Sequence, residues 1–271
     1  MTGEAGIALT RLAFSLSEGG PKRITIMDYD GGRIRPVSPE GVLSLFPAWF
    51  PDGRRLAYVT YRHGRTEVVI HDLESGRIRS VAFFPGMNAF PATSGDGKSM
   101  LLTLSRDGNP EIYRVEVDGS SLKRLTFTKA VEASPAWSPD QKEITFISDR
   151  TGSPQIYVSS VRGGRARRVS FTGRYSSSPD WSPKGGEIVF TSMVEGTFQI
   201  FTVDLASGEN TQLTSGGDNK EDPSWAPNGR HVVFSEGRGS GYRLVLLDTR
   251  TGDRFPLPRQ GASYTSPSWS Q

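Results

Sequence analysis

The chain contains no cysteine and only three histidines in its 271 residues. Without thiols it can form neither a disulfide framework nor a cysteine-based zinc site, and it offers no cysteine nucleophile. His63, His71 and His231 fall at three different positions of the repeat described below, which argues against a shared metal site or a catalytic triad. We therefore expect no catalytic residue, no bound metal and no cofactor.

Long hydrophobic runs and blocks of like charge are also missing. No apolar run approaches the roughly 18 residues of a membrane-spanning helix, and residues 1–10 lack the apolar core of a signal peptide. The 32 basic and 29 acidic side chains give a net charge of +3, and the basic ones are scattered along the whole chain. We expect no membrane insertion, no export signal and no nucleic-acid binding.

What the sequence does contain is a repeat of 44 residues. A tryptophan follows two residues after a recurring proline in five of six copies, and Thr93 takes its place in the other. The prolines are Pro47, Pro91, Pro135, Pro179, Pro223 and Pro267. A fixed period in the forties, built from strand-like segments, is typical of propeller blades with four strands each. The repeat predicts an all-β, six-bladed β-propeller.

One copy of the repeat supplies the expected strands of every blade. Apolar and β-branched residues alternate with turn residues, which separates four short strands. The predicted strands of this copy are residues 135–138, 143–148, 155–160 and 166–169.

The two ends of the chain carry complementary parts of one repeat. Residues 11–14 match the second-strand segment 55–58, and residues 267–270 match a first strand. We therefore expect the N- and C-terminal strands to share one blade, which closes the ring and removes open sheet edges. On this interpretation residues 11–271 form the propeller, and residues 1–10 are a leader or the remnant of an upstream connection.

The repeat resembles the β-propeller of the TolB family. The resemblance is carried by residues 134–140, by residues 149–157, and by the segments 56–60, 83–85 and 267–270. TolB proteins have a signal peptide and a smaller α/β domain before the propeller. Since neither is present here, the resemblance implies that this chain is the propeller portion, either trimmed or naturally short.

The resemblance also implies a function. It predicts a non-enzymatic, periplasmic and monomeric protein-binding module of the Tol-Pal cell-envelope system. Its partners would be the peptidoglycan-associated lipoprotein, other Tol proteins and imported bacteriocin segments, bound at one mouth of the channel. The family's contact positions correspond to Met87, Phe90 and Ala133. Met87 and Phe90 depart from the commoner histidine and small residue at these places.

The residues that enter the first strands suggest the same surface. They mix aromatic residues and methionine with small polar residues, which is the composition of protein interfaces, although such aromatics can also pack between blades. Loops on a rigid scaffold are where recognition usually occurs. The predicted partner-binding residues are Met87, Asn88, Ala89, Phe90, Glu132, Ala133, Tyr175, Asn219 and Tyr264.

Two other interpretations remain open at this point. A hydrolase-type or peptidase-accessory propeller would hold a small ligand in its channel, and the separation of any two carboxylates cannot be read from the sequence. The regular repeat is also compatible with an engineered scaffold.

Overall fold

The computed structural model describes residues 6–259 and 263–270, and in these ranges the chain forms only strands, turns and loops. The strands are β1 (Arg11–Ser17), β2 (Arg23–Asp28), β3 (Arg35–Pro36), β4 (Ser44–Trp49), β5 (Arg55–Thr60), β6 (Glu67–Asp72), β7 (Ile78–Ala82), β8 (Asn88–Thr93), β9 (Ser99–Leu104), β10 (Glu111–Glu116), β11 (Lys123–Arg124), β12 (Glu132–Trp137), β13 (Glu143–Ser148), β14 (Gln155–Ser160), β15 (Arg167–Arg168), β16 (Ser176–Trp181), β17 (Glu187–Val194), β18 (Thr197–Asp204), β19 (Asn210–Gln212), β20 (Asn219–Trp225), β21 (His231–Arg238), β22 (Gly241–Asp248), β23 (Arg254–Pro256) and β24 (Ser263–Trp269).

These strands form six antiparallel sheets of four strands each, and each sheet is one blade. Blade 1 has the order β24-β1-β2-β3, and blades 2 to 6 follow along the chain from β4–β7 to β20–β23. The predicted six-bladed propeller is confirmed.

The predicted strand limits are right for the second and third strands of the blade and wrong for the first and fourth strands. β13 and β14 have the predicted bounds, whereas β12 begins at Glu132, three residues early, and β15 contains only Arg167 and Arg168. β12 extends because pairing with β13 continues past a bulge. The fourth strand is short because it lies at the outer edge of the sheet, where only one neighbour is available for pairing.

The first blade is closed by strands from both ends of the chain, as predicted. β24 pairs antiparallel with β1, with Leu12 opposite Trp269. The indole N–H of Trp269 donates to the Thr10 hydroxyl at 2.7 Å. Residues 1–5 of the predicted leader lie outside the described residues, and the assignment of 1–10 as a remnant stays a prediction.

A β-bulge interrupts every first strand at the same position. In blade 2, for example, Phe46 and Pro47 together lie opposite Tyr58, because the register shifts between Leu45 and Ala48. The residue before each repeated proline has a φ between 48° and 54°. These six residues are Phe46, Phe90, Ser134, Ser178, Asp222 and Ser266. Proline has no N–H to donate, so it is tolerated where the bulge interrupts the ladder.

The hydrophobic core lies between neighbouring blades. Trp181 of blade 5 shares one cluster with Ile156 and Val158 of blade 4. Four of the five tryptophans are buried, while Trp137 is only partly buried and donates its indole N–H to the Ala92 carbonyl at 3.1 Å. The cores between blades hold the first strands in place around the central channel.

Candidate functional site

The two ends of the channel open on two chemically different faces. Because successive strands are antiparallel, one face carries the connections into the first strands, such as residues 83–87 and 169–175, and the second-to-third-strand turns. We call this the connector face. The other face carries the first-to-second-strand and third-to-fourth-strand turns, and we call it the turn face.

The central channel encloses a cavity of about 570 Å³ between the six first strands. Its lining extends from the bulge residues, which lie before the repeated prolines, to Gly95, Pro139 and Gln141 in the turns of the turn face. The bulge residues therefore form the ring that limits this cavity towards the connector face.

The ring of bulge residues is divided into an aromatic side and a polar side. Phe46 and Phe90 pack against each other with ring centroids 4.4 Å apart. Across the ring, Asp222 accepts hydrogen bonds from the hydroxyls of Ser178 at 2.7 Å and of Ser266 at 2.9 Å. One side of the ring can thus contact apolar groups, whereas the other already satisfies much of its own hydrogen bonding.

The residues directly after the six repeated prolines form a second ring around the channel. This ring also has an apolar side and a polar side. Blades 2, 3 and 4 contribute alanines, and blades 5, 6 and 1 contribute Asp180, Ser224 and Ser268. Each of these polar side chains accepts a backbone N–H from a tryptophan of the following blade, over distances of 2.7 to 3.4 Å. The polar side chains therefore connect neighbouring first strands.

Asp180 is the most perturbed acid of the channel. Burial raises the pKa of its carboxyl group to about 6, and the hydrogen bond from the Trp225 amide offsets part of that effect. A carboxyl group with this pKa changes charge near neutral pH.

The structure separates the predicted binding residues into accessible and buried ones. Met87 and Tyr175, just before β8 and β16, are 38% and 39% exposed. Phe90 lines the channel, and it is the only residue of the predicted set that does so among the described residues. Ala133 and Asn219 are partly buried within β12 and β20.

The other four predicted binding residues are buried in the first strands. Like Phe90, Ala133 and Asn219 they lie within strands, so the predicted placement in loops was wrong for all seven. The Asn88 amide donates to the Phe84 carbonyl at 2.7 Å and holds the preceding connection, and Ala89 is buried beside it in β8. Tyr264 packs on Phe14 with centroids 4.7 Å apart.

Glu132 is the fourth of these buried residues. Its carboxylate accepts hydrogen bonds from Thr128, Ser148 and Arg150 at 2.8 Å each. Burial raises the pKa of this carboxyl group despite these partners. Partner binding by these four residues stays a prediction.

Sequence reasoning missed the two polar side chains that shape the channel most. Asp180 follows a repeated proline, at a position where three other blades have alanine, and Asp222 precedes one, at a position where two other blades have phenylalanine. The departure from the repeat at these positions was visible in the sequence, but the inward direction of the side chains was not.

The histidines are not brought together. His63 contacts the Glu67 carboxylate at 3.0 Å on the connector face, His71 is buried at the end of β6, and His231 begins β21. Within residues 6–259 and 263–270, no group of three or more metal-ligating side chains could hold an ion. In that same part of the chain, no helix has the length and hydropathy to span a membrane.

Comparisons with known proteins agree with this geometry. A family model described as "TolB beta propeller domain" (PD40) matches residues 1–271. The crystal structure of TolB from Acinetobacter baumannii superposes with a TM-score of 0.91 and 31% sequence identity, covering 99% of this chain and 68% of that one.

The curated relatives match over a shorter stretch. The Tol-Pal system protein TolB of Nitrosomonas europaea is 38% identical over 61 residues, and that of Chromobacterium violaceum is 41% identical over 63 residues. Each alignment spans 22% of this chain and 14% of the relative.

Proposed function

Because the chain belongs to the TolB β-propeller family, we propose that it is a non-catalytic protein-binding module of the Tol-Pal cell-envelope system. It works in the periplasm as a monomer and binds the globular domain of the peptidoglycan-associated lipoprotein at the connector-face mouth of the channel. Bacteriocin segments that are imported through this system are further candidate ligands of the same mouth.

The match of the family model to the whole chain carries this proposal. The channel geometry supports it independently, because Phe90 lines the channel and Met87, three residues before it, is exposed on the connector face. Aromatic and methionine side chains of this kind are frequent anchors in protein interfaces.

A calorimetric titration of the chain with the lipoprotein's globular domain tests the proposal. We expect a one-to-one complex whose affinity falls at least about tenfold in Met87→Ala and Phe90→Ala. Lys184→Ala on the turn face is the matched control and should leave the affinity unchanged. An unmodified chain that gives no heat up to high micromolar concentration would contradict the proposed function.

A further inference from the structure

Three consecutive connections on the connector face each present a phenylalanine to solvent. Phe83, Phe127 and Phe171 occupy one position of the repeat, eight residues before the proline, and are 36%, 74% and 66% exposed. The other three blades have Pro39, Ser215 and Arg259 at this position. Half of the ring is therefore aromatic here and the other half is not.

Each of these phenylalanines is covered on one side by an arginine. The guanidinium carbon lies 4.0 Å from the ring centroid for Arg65 on Phe83, 4.9 Å for Arg124 on Phe127 and 5.2 Å for Arg168 on Phe171. Such stacking holds a cation beside an apolar ring while leaving both able to contact a partner.

A buried glutamate fixes one of these arginines in its position. Arg124 donates to the Glu111 carboxylate at 2.8 Å, and Glu111 has no exposed side-chain surface. The arrangement keeps the guanidinium at the surface of the connector face in a defined orientation.

A second row of apolar side chains follows on the same three connections. Met87, Val131 and Tyr175 come immediately before β8, β12 and β16, and they are 38%, 41% and 39% exposed. Together with the three phenylalanines they form a surface that we call the crescent. A group of large exposed apolar side chains on one face is uncommon on a folded domain unless it serves as an interaction site.

The charge around the crescent is predominantly positive. Three connections (83–87, 125–131 and 169–175) and three turns (61–66, 105–109 and 149–153) surround the crescent. They contain two acids, the exposed Asp107 and the partly exposed Asp149, and the following turn adds Glu195. The exposed basic residues in these six segments are Arg62, Arg65, Arg106, Lys129, Arg150 and Arg174. Three of them form ion pairs, Arg62 with Glu67, Arg106 with Asp107 and Arg150 with Glu132, so the excess positive charge comes mainly from the other three.

We propose that the crescent is a docking surface for an acidic protein segment that also carries apolar side chains. Its carboxylates would pair with the stacked guanidinium groups of Arg65 and Arg168, since Arg124 already pairs with Glu111. Its apolar side chains would pack on Phe127 and Phe171. The inference deepens the proposed function and rests on it in taking the occupant to be a protein. It adds a surface outside the channel and the chemistry of the partner.

The test uses the whole chain and a short synthetic peptide of alternating glutamate and phenylalanine. Carbon-13 labelling of phenylalanine and methionine allows the ring and methyl signals to report the contact site. We expect the signals of Phe83, Phe127, Phe171 and Met87 to shift, whereas that of Phe255, which is exposed on blade 6, stays in place.

Two matched changes examine the chemistry. Replacing the three crescent phenylalanines by serine should weaken binding at least about tenfold, and Phe255→Ser should not. A peptide with glutamine in place of glutamate should also bind more weakly, and added salt should reduce the difference between the two peptides.

Specific results would overturn the inference. Equal binding of the glutamate and glutamine peptides would show that charge does not contribute to binding. Crescent signals that do not shift would show that the peptide does not bind there. Stronger shifts with polygalacturonate than with the peptide would identify an anionic polysaccharide as the occupant. If the peptide binds the crescent but the lipoprotein domain does not bind the chain, the proposed function fails while the docking surface stands.

Discussion

Blades 2, 3 and 4 have the same backbone conformation at the bulge as blades 5, 6 and 1. The side chains that the two groups of blades present to the channel are chemically different. The bulge residues have the same positive φ all around the ring, yet Phe46 and Phe90 stand on one side and the Ser178–Asp222–Ser266 cluster on the other. The bulge therefore follows from the repeat and its proline rather than from the side chain before the proline. This leaves the side chain free to differ between the two halves.

The two halves also differ in what their polar groups are used for. In blades 5, 6 and 1 the polar side chains bind amides and hydroxyls of neighbouring first strands, so they hold the ring together. In blades 2 to 4 the inward side chains are largely apolar, and the connections into blades 3 to 5 add the exposed crescent. The polar half of the ring thus mainly joins neighbouring first strands, and we propose that the binding surface belongs to the apolar half.

Removing β24 should cause the largest loss of stability, because blade 1 of the polar half then lacks one of its four strands. A chain without residues 263–271 exposes the edge of β1 and loses the packing of Tyr264 and Trp269. We expect loss of cooperative unfolding in thermal melts and aggregation. A permuted chain that carries 263–271 ahead of residue 6 keeps the strand and should melt like the unmodified protein. A truncated chain that unfolds cooperatively at the melting temperature of the unmodified protein would contradict the role of β24 in closure.

Substituting Trp137 of the apolar half and Trp181 of the polar half should give different losses of stability, because the two indoles differ in burial. Trp181→Ala removes a buried indole from the core between blades 4 and 5, so we expect a loss of about 3–5 kcal/mol in the free energy of unfolding. Trp137→Ala should cost less, because that indole is only partly buried. Urea unfolding of the two variants gives the comparison, and equal losses would mean that the exposed part of Trp137 contributes as much as a buried indole.

Titration of Asp180, which belongs to the polar half, should produce a smaller change in the free energy of unfolding. Since its pKa is raised to about 6 from the ordinary 3.8, the folded state favours the protonated acid. The stability that protonated Asp180 contributes to the folded state is fully present below about pH 4 and is lost as the pH rises through about 6.

Asp180→Asn stays neutral and removes this dependence. Relative to the variant, the unmodified chain should therefore lose on the order of 1–3 kcal/mol of stability between about pH 4 and about pH 7. Urea unfolding of both proteins at several pH values measures the difference. A constant difference across this range would show that Asp180 titrates as an ordinary acid.

The repeat made most of the fold predictable. The proline period fixed the number of blades, and the match of residues 11–14 with 55–58 fixed the closing blade. Positive φ at residues such as Phe46 was not predictable, since nothing in the side chain requires it. The bulge lengthens the paired part of each first strand, which is why Glu132 and Tyr264 lie inside strands rather than in loops.

The candidate site was less predictable than the fold. The sequence indicated Met87, Phe90 and Tyr175, whose side chains are accessible or line the channel. It could not indicate that Asn88 binds its own connection or that Tyr264 packs on Phe14, because these contacts join segments whose relative positions depend on the folded ring.

The comparison of the two halves is tested most directly within the bulge ring itself. Calorimetric titration of the lipoprotein's globular domain into Phe90→Ser and Ser178→Ala compares substitutions at one repeat position, one in the aromatic part of the bulge ring and one in its polar part. The account predicts that Phe90→Ser weakens binding at least about tenfold, and that Ser178→Ala leaves the affinity unchanged. Weakened binding in Ser178→Ala with full affinity in Phe90→Ser would contradict the assignment of binding to the apolar half.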